Sequence, residues 1–209
     1  MINPNRYPNL KTAGRELAPA LEKYKEDAKA LVLAIATAGV PVAVEVASAL
    51  SLPLDLILIR RLLIADDGSH LCAVNVAGTT IRDEGTSPDG QQTPKEIFMT
   101  EAIAAFGRRE QLCRGGRPPL SLTDRTVIAI DCGIRSGSTM SAAARALRKT
   151  DAKSIIGVVP VSSREGYAAV APLFDELICL QKPAQFINAG FWYADFGRPS
   201  DEQIGELLG

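Results

Sequence analysis

The chain holds one histidine, His70, among 209 residues, and its four cysteines are so widely spaced that no C-x-x-C pair occurs. One imidazole excludes multi-histidine metal centres and leaves a histidine-dependent hydrolase a single candidate base. Scattered thiols suggest neither a zinc site nor a disulfide framework, so Cys72, Cys113, Cys132 and Cys179 read as reduced. An excess of either charge is also missing. With 23 Lys and Arg against 24 Asp and Glu, the net charge of -1 creates no global field to attract nucleic acid or an anionic membrane. Any anionic ligand must be held by local geometry. No apolar run approaches the ~20 residues that span a bilayer, and Met1 to Leu10, rich in Pro and Asn, shows no apolar signal region; the expectation is a cytoplasmic protein. Two nucleotide signatures, G-x-x-x-x-G-K-[ST] and G-x-G-x-x-G, do not occur, and GIRSG at 133–137 departs from the G-x-S-x-G nucleophile elbow.

What is present is a core-forming chain, 46% hydrophobic, expected to fold as one domain over residues 1–209. Leu10, Leu17 and Leu21 give helical spacing over 10–25, with Pro19 bending that helix or delaying its start. ALVLAIA at 30–36 and LDLILI at 54–59 are short continuous apolar runs, the pattern of strands covered on both faces. Between them Pro41 suits the first turn of a helix. The second run ends in Arg60 and Arg61, where charge emerges at a strand end. Residues 65–95 turn polar, with LCAVNV and TTIR as short strands around Gly78, and read as a flap; His70 falls there as an exposed loop residue beside Asp66 and Asp67. A helix over 94–113 carries Arg108, Arg109, Arg114 and Arg117 near its end, as a solvated helix terminus does. Strands and helices then alternate: TVIAID, STMSAAARALRKT, SIIGVVPV, REGYAAVAPLF, ELICL. This alternation predicts an α/β, doubly wound, mainly parallel sheet flanked by helices, with ligands beyond the C-terminal strand ends. The loops after Ile35, Ile59 and Ile130 should share one crevice.

The loop after Ile130 carries the chemistry. Asp131 sits at the strand end, Gly133 and Gly137 permit close backbone approach, and Ser136, Ser138 and Thr139 add hydroxyls beside the unpaired N-H groups of a helix start. A monophosphate fits this arrangement; so does a plain strand-to-helix turn with Ser138 or Thr139 as N-cap.

IDCGIRSGST resembles the phosphoribosyl diphosphate (PRPP) loop of type I phosphoribosyltransferases, and is similar in particular to a bacterial group whose loop reads DDGIATGAT. ALVLAIATAGVPVAVEVASALSLPLDLILIRRL, VVPVSSREGYAAV and FINAGFWYADFGRPSDEQI resemble further segments of that group, so the likeness covers most of the chain. It implies the type I fold with a flap near 65–95 and a hood or tail near 181–209. It also implies Mg2+ bound with PRPP or a nucleoside monophosphate, and transfer of a 5-phosphoribosyl group with pyrophosphate as leaving group. By position, Arg135, Ser136, Gly137, Ser138 and Thr139 would hold the 5′-phosphate, Asp131 the ribose and catalysis, and Thr37, Ala38 and Gly39 with Arg60 and Arg61 the pyrophosphate. No protein metal ligand is implied beyond Asp131, and the apolar tail suggests a homodimer.

Three departures stand against the family pattern. Cys132 replaces a second acid, Ser136 and Ser138 replace Thr and Ala, and Ala36-Thr37-Ala38 replaces Pro-Arg-Gly. A neutral thiol supplies neither the charge nor the strong acceptors of a carboxylate, and Thr37 offers one hydroxyl where Arg offers a planar donor fork. Arg60, Arg61 or an arginine of the 108–117 cluster could compensate. A catalytically degenerate PRPP or nucleotide sensor is therefore the alternative to an enzyme. Cys132 as a nucleophile lacks a basic partner nearby in sequence and reads better as a packed thiol. Phe191, Trp192, Tyr193 and Phe196 either stack on a base or close the core or a subunit interface, while Asp195 reads as a surface charge and Asp201 as a helix N-cap.

Overall fold

The computed structural model describes residues 6–35, 37–63, 70–84 and 92–208. Among them, one sheet contains β1 (Ala30–Ile35), β2 (Leu54–Leu63), β3 (His70–Val76), β4 (Thr79–Glu84), β5 (Thr126–Ile130), β6 (Ser154–Val161) and β7 (Glu176–Gln181). Their spatial order is β4-β3-β2-β1-β5-β6-β7. From β2 to β7 neighbours run parallel, and β3 and β4 extend the sheet as an antiparallel hairpin.

The apolar runs become central strands because both their faces are covered. Val32, Ala34, Ile128 and Ile130 point into a core built with α1 (Leu10–Leu17), α2 (Gly39–Leu50), α3 (Gln92–Arg114) and α6 (Asp201–Leu208). Their neighbours Leu31, Leu33, Val127 and Ala129 point into a second core with α4 (Ser138–Leu147) and α5 (Arg164–Val170). Period-two alternation of apolar residues on both sides leaves no polar face, which is the pattern of a doubly wound sheet. The chain leaves β1 toward β2 and leaves β5 toward β6, in opposite directions, so the crevice between the ends of β1 and β5 is the topological switch point.

Several expectations change in detail. Asn9 caps α1 by accepting from the Thr12 amide at 2.9 Å, and a tighter 3-10 segment, Ala18–Tyr24, follows with Pro19 in its first turn, where a missing N-H costs nothing. β2 does not stop at Ile59. Pairing of Arg60 with Ala73 and Arg61 with Cys72 carries it on to Leu63, so both arginines lie within a strand and no loop follows Ile59. His70 opens β3 instead of lying in a loop; Asp66, Asp67 and the remainder of the flap over 65–69 and 85–91 fall outside the described residues, as does Ala36. Asp201 is not the cap of α6. Ser200 is: its hydroxyl accepts from the Gln203 amide at 3.2 Å while the Gln203 side chain accepts from the Ser200 amide at 2.9 Å, a reciprocal capping box. Asp201 instead receives Arg109 at 2.7 and 3.0 Å. Arg114, expected in solvent, is buried against Asp55, and Arg117 donates to the Leu208 carbonyl at 3.0 Å. These arginines lock the end of α3 to the start of β2 and to α6. Among the described residues, no helix is long and apolar enough to cross a membrane.

Candidate functional site

At the C-terminal end of β5, Gly137 takes φ +84 and caps α4 without any side-chain cap. That left-handed conformation is open to glycine and strained for other residues. Ser138 and Thr139 are therefore first-turn helix residues, and Gly137, not either of them, is the N-cap of this strand-to-helix turn. The amides of Ser138, Thr139 and Met140 have no intrahelical acceptor and face outward at the helix mouth. They open into a cavity of about 430 Å³ whose lining runs from Gly133 to Met140 and adds Asp131 and Arg61.

The loop is held in shape from behind. Ser163 does two jobs with one hydroxyl: it accepts from the Gly166 amide at 2.8 Å, capping α5, and donates to the Arg135 carbonyl at 2.5 Å. The Ile134 amide donates to the Val161 carbonyl at 3.0 Å, which continues the sheet one step into the loop. Tyr193, from the tail, donates its hydroxyl to the Cys132 carbonyl at 2.5 Å. A preorganised anion site needs fixed amides, and these bonds supply the fixing.

Arg61 and Arg60 part company. Successive strand residues face opposite sides, so Arg61 reaches the cavity, with Nη1 2.5 Å from the Ser138 hydroxyl, while Arg60 lies over the Phe98 ring and pairs with Glu101 at 3.4 Å on the α3 side. Ser136 and Ser138 hydroxyls lie 3.4 Å apart, and the Arg135 side chain is exposed at the rim. Thr37 is half-buried and Ala38 and Gly39 are buried; none of the three lines this cavity. Gly39 nevertheless joins the two loops. A Cβ there would stand 2.7 Å from the Ile130 carbonyl oxygen and 3.2 Å from the Asp131 Cα, so the bare backbone of the first loop rests directly on the strand end that carries Asp131.

Asp131 accepts the Cys132 amide at 2.7 Å. Burial raises its pKa to about 6, opposed by that hydrogen bond and by the positive charge of Arg198. Cys132 is buried, and burial followed by the neighbouring Asp131 charge pushes its thiol well above the ordinary range. A protonated, enclosed thiol is no nucleophile. Trp192 and Tyr193 are buried in the core, which favours closure over base stacking for those two; Phe191 remains exposed. Asp195 is exposed, as a surface charge should be.

The model of the phosphoribosyl transferase domain matches residues 5–195. The chain belongs to the phosphoribosyl transferase domain family. A Mycobacterium tuberculosis protein named "Putative phosphoribosyl transferase Rv0571c" is 30% identical over 207 residues, covering 94% of this chain and 45% of that protein. The chain thus spans about half the length of the curated relatives it matches. Among solved structures, TT1426 from Thermus thermophilus superposes with a TM-score of 0.78 at 25% identity over 97% of each chain. A Neisseria gonorrhoeae protein solved with bound ppGpp shares the fold, with a TM-score of 0.54 at 14% identity over 95% of this chain and 90% of that one.

Sequence reasoning brought forward Asp131 and the 135–139 loop, which line one cavity; Arg61, expected with Arg60 and residues 37–39 at the pyrophosphate, stands instead in that same cavity beside Ser138. It missed Ser163, and it named Tyr193 only as a stacking or closing ring, without the hydroxyl that holds the Cys132 carbonyl. Ser163 had a readable signal, a serine directly before a helix start; the Tyr193 hydroxyl bond had none, because it reaches the strand end from 61 residues away.

Proposed function

We propose that the chain binds PRPP or a nucleoside 5′-monophosphate and transfers a 5-phosphoribosyl group, with pyrophosphate as leaving group. The observation that carries this reading is the single cavity in which the open amides of α4, Arg61 and Asp131 meet, in a member of the phosphoribosyl transferase family. A 5′-phosphate on the α4 amides would be neutralised by Arg61 and by partial positive charge at the helix start. The ribose would then lie over Asp131, whose carboxylate offsets positive charge developing at the anomeric carbon as the C-O bond breaks. Magnesium belongs to this reading as a substrate-borne ion. Among the described residues no cluster of three or more His, Cys, Asp or Glu could hold a metal, and one carboxylate with hydroxyls suits an octahedral ion that arrives on a diphosphate. Bound there, the ion would supply charge neutralisation for the leaving group. A cytoplasmic homodimer completes the proposal.

Titration calorimetry with Mg-PRPP on the wild type and on Ser138→Glu tests it. A glutamate in the first turn favours the helix yet repels a phosphate, so a folded variant that has lost binding is expected. Equal heats from both proteins overturn the reading.

A second reading, a PRPP or nucleotide sensor without turnover, is favoured by one observation: Cys132 occupies the second acid position as a buried, protonated thiol. The Neisseria fold relative, solved with ppGpp, supports it as an instance of a guanosine tetraphosphate held by that protein. Pyrophosphate release by the wild type and by Cys132→Asp separates the two: the sensor reading expects release only from the variant.

A further inference from the structure

We infer that Ser163, which lies outside the cavity, is a positioning residue: it aims the amides of Arg135 and Ser136 into the cavity, so that the loop itself adds two donors to those of α4. This rests on the phosphoribosyl reading above and names the residue that shapes its 5′-phosphate subsite.

Ser163 grips two successive peptides of the loop. Its amide donates to the Ile134 carbonyl at 2.9 Å, and its hydroxyl donates to the Arg135 carbonyl at 2.5 Å. The direction of the second bond is not in question, because a carbonyl only accepts; the single hydroxyl proton is committed to it while the oxygen accepts from the Gly166 amide at 2.8 Å. Ser163 is itself buried, so water does not compete for these bonds.

The two bonds decide where the neighbouring amides point. A trans peptide is planar, with its N-H directed opposite to its C=O. Since the carbonyls of Ile134 and Arg135 face Ser163, the amides that share those peptides, of Arg135 and Ser136, face away from it. On that far side lies the cavity, which Arg135 and Ser136 line and Ser163 does not. Neither amide donates to an acceptor among the described residues. The Ile134 amide still points back, to the Val161 carbonyl at 3.0 Å, so the outward turn begins at Arg135. The rear of the loop is closed by α5. A Cβ on Gly166 would collide with the Arg135 carbonyl, and one on Gly137 would stand 2.5 Å from Val170 Cγ2, so both ends of the 135–137 turn rest on that helix.

The experiment titrates ribose 5-phosphate into isotope-labelled protein and follows amide proton shifts by NMR. In the wild type the Arg135 and Ser136 amide protons should move downfield with those of Ser138 and Thr139, as amides do on donating to an anion. Ser163→Gly removes the hydroxyl but keeps a residue that caps a helix nearly as well. It should lose the Ser136 shift, keep the Thr139 shift, and weaken ribose 5-phosphate about tenfold. Ser163→Thr retains a hydroxyl and should restore both the shift and the affinity. If ribose 5-phosphate binds the wild type while the Ser136 amide stays still, or if Ser163→Gly binds it as tightly as the wild type, the assignment of Ser163 is wrong and the phosphoribosyl reading survives. Loss of every shift alike in Ser163→Gly, without rescue by threonine, also sinks the assignment. Failure of the wild type to bind ribose 5-phosphate overturns both.

Discussion

Two carboxylates, Asp55 buried and Asp131 half-buried, stand at opposite ends of the parallel sheet, and they are treated in opposite ways. Asp55, at the start of β2, is saturated: Arg114 pairs with it inside the protein, and the amides of Leu56 and Leu120 each donate to it at 2.8 Å. Asp131, at the end of β5, keeps one short bond, to the next amide, and has no contacting cation among the described residues, so burial lifts its pKa to about 6. A saturated acid is a clasp between elements. An undersatisfied acid facing a cavity is held at a cost that the rest of the fold offsets, and such groups gather where a ligand is to complete them.

The largest effect should come from breaking the clasp. Arg114→Met leaves Asp55 buried without its cation and is expected to cost roughly 3–5 kcal/mol in urea denaturation. Adding Asp55→Asn should recover part of that loss; no recovery would mean that Arg114 stabilises through packing and not through its charge. Next, Gly39→Ala presses a methyl group against the Ile130 carbonyl and should cost about 1–3 kcal/mol. Because the clash falls beside Asp131, affinity for ribose 5-phosphate should fall with it, whereas Arg114→Met should leave the affinity of the folded fraction intact.

Asp131→Asn sharpens the comparison from the other side. The folded-state pKa is raised, so at low pH both folded and unfolded chains hold the proton and Asp131 carries no penalty. As pH rises from the ordinary carboxylate range toward about 6, the unfolded chain ionises freely while the folded chain holds its proton in an enclosed site, and stability falls. Discounted for the cavity's access to water, the asparagine variant should be more stable by about 1–2 kcal/mol at pH 7.5, with the gain shrinking toward pH 4, and should bind ribose 5-phosphate less well. A pH-independent gain would show that the carboxylate is not the source. The smallest effect belongs to Ser200→Ala, which removes half of the α6 capping box and should cost about 1 kcal/mol, seen as faster hydrogen exchange confined to α6.

Much of the fold was legible because apolar runs such as ALVLAI and TVIAI leave no room for a solvent face, and the alternation of such runs with helical stretches admits few topologies. The 131–139 loop was legible as a strand-to-helix turn from its Gly, Ser and Thr residues, but the cap fell to Gly137 and not to Ser138 or Thr139. The arginines were not. Arg114 reads in sequence as a solvated helix terminus, and only burial beside a carboxylate 59 residues away makes it a core residue. Arg60 and Arg61 read as a pair, yet the pleat turns one toward Glu101 and the other toward Ser138. Asp201 resembled a cap, but Ser200 with Gln203 does that work.

By itself the sequence determined where strands and helices form and which loop carries glycines, hydroxyls and open helix amides, since these follow from periodicity and backbone freedom over a few neighbouring residues. Tertiary structure alone decided which charges meet. Whether a given arginine clasps Asp55 or faces a cavity beside Asp131 depends on contacts across dozens of residues and on the local exclusion of water, and neither quantity has a local signature in the chain.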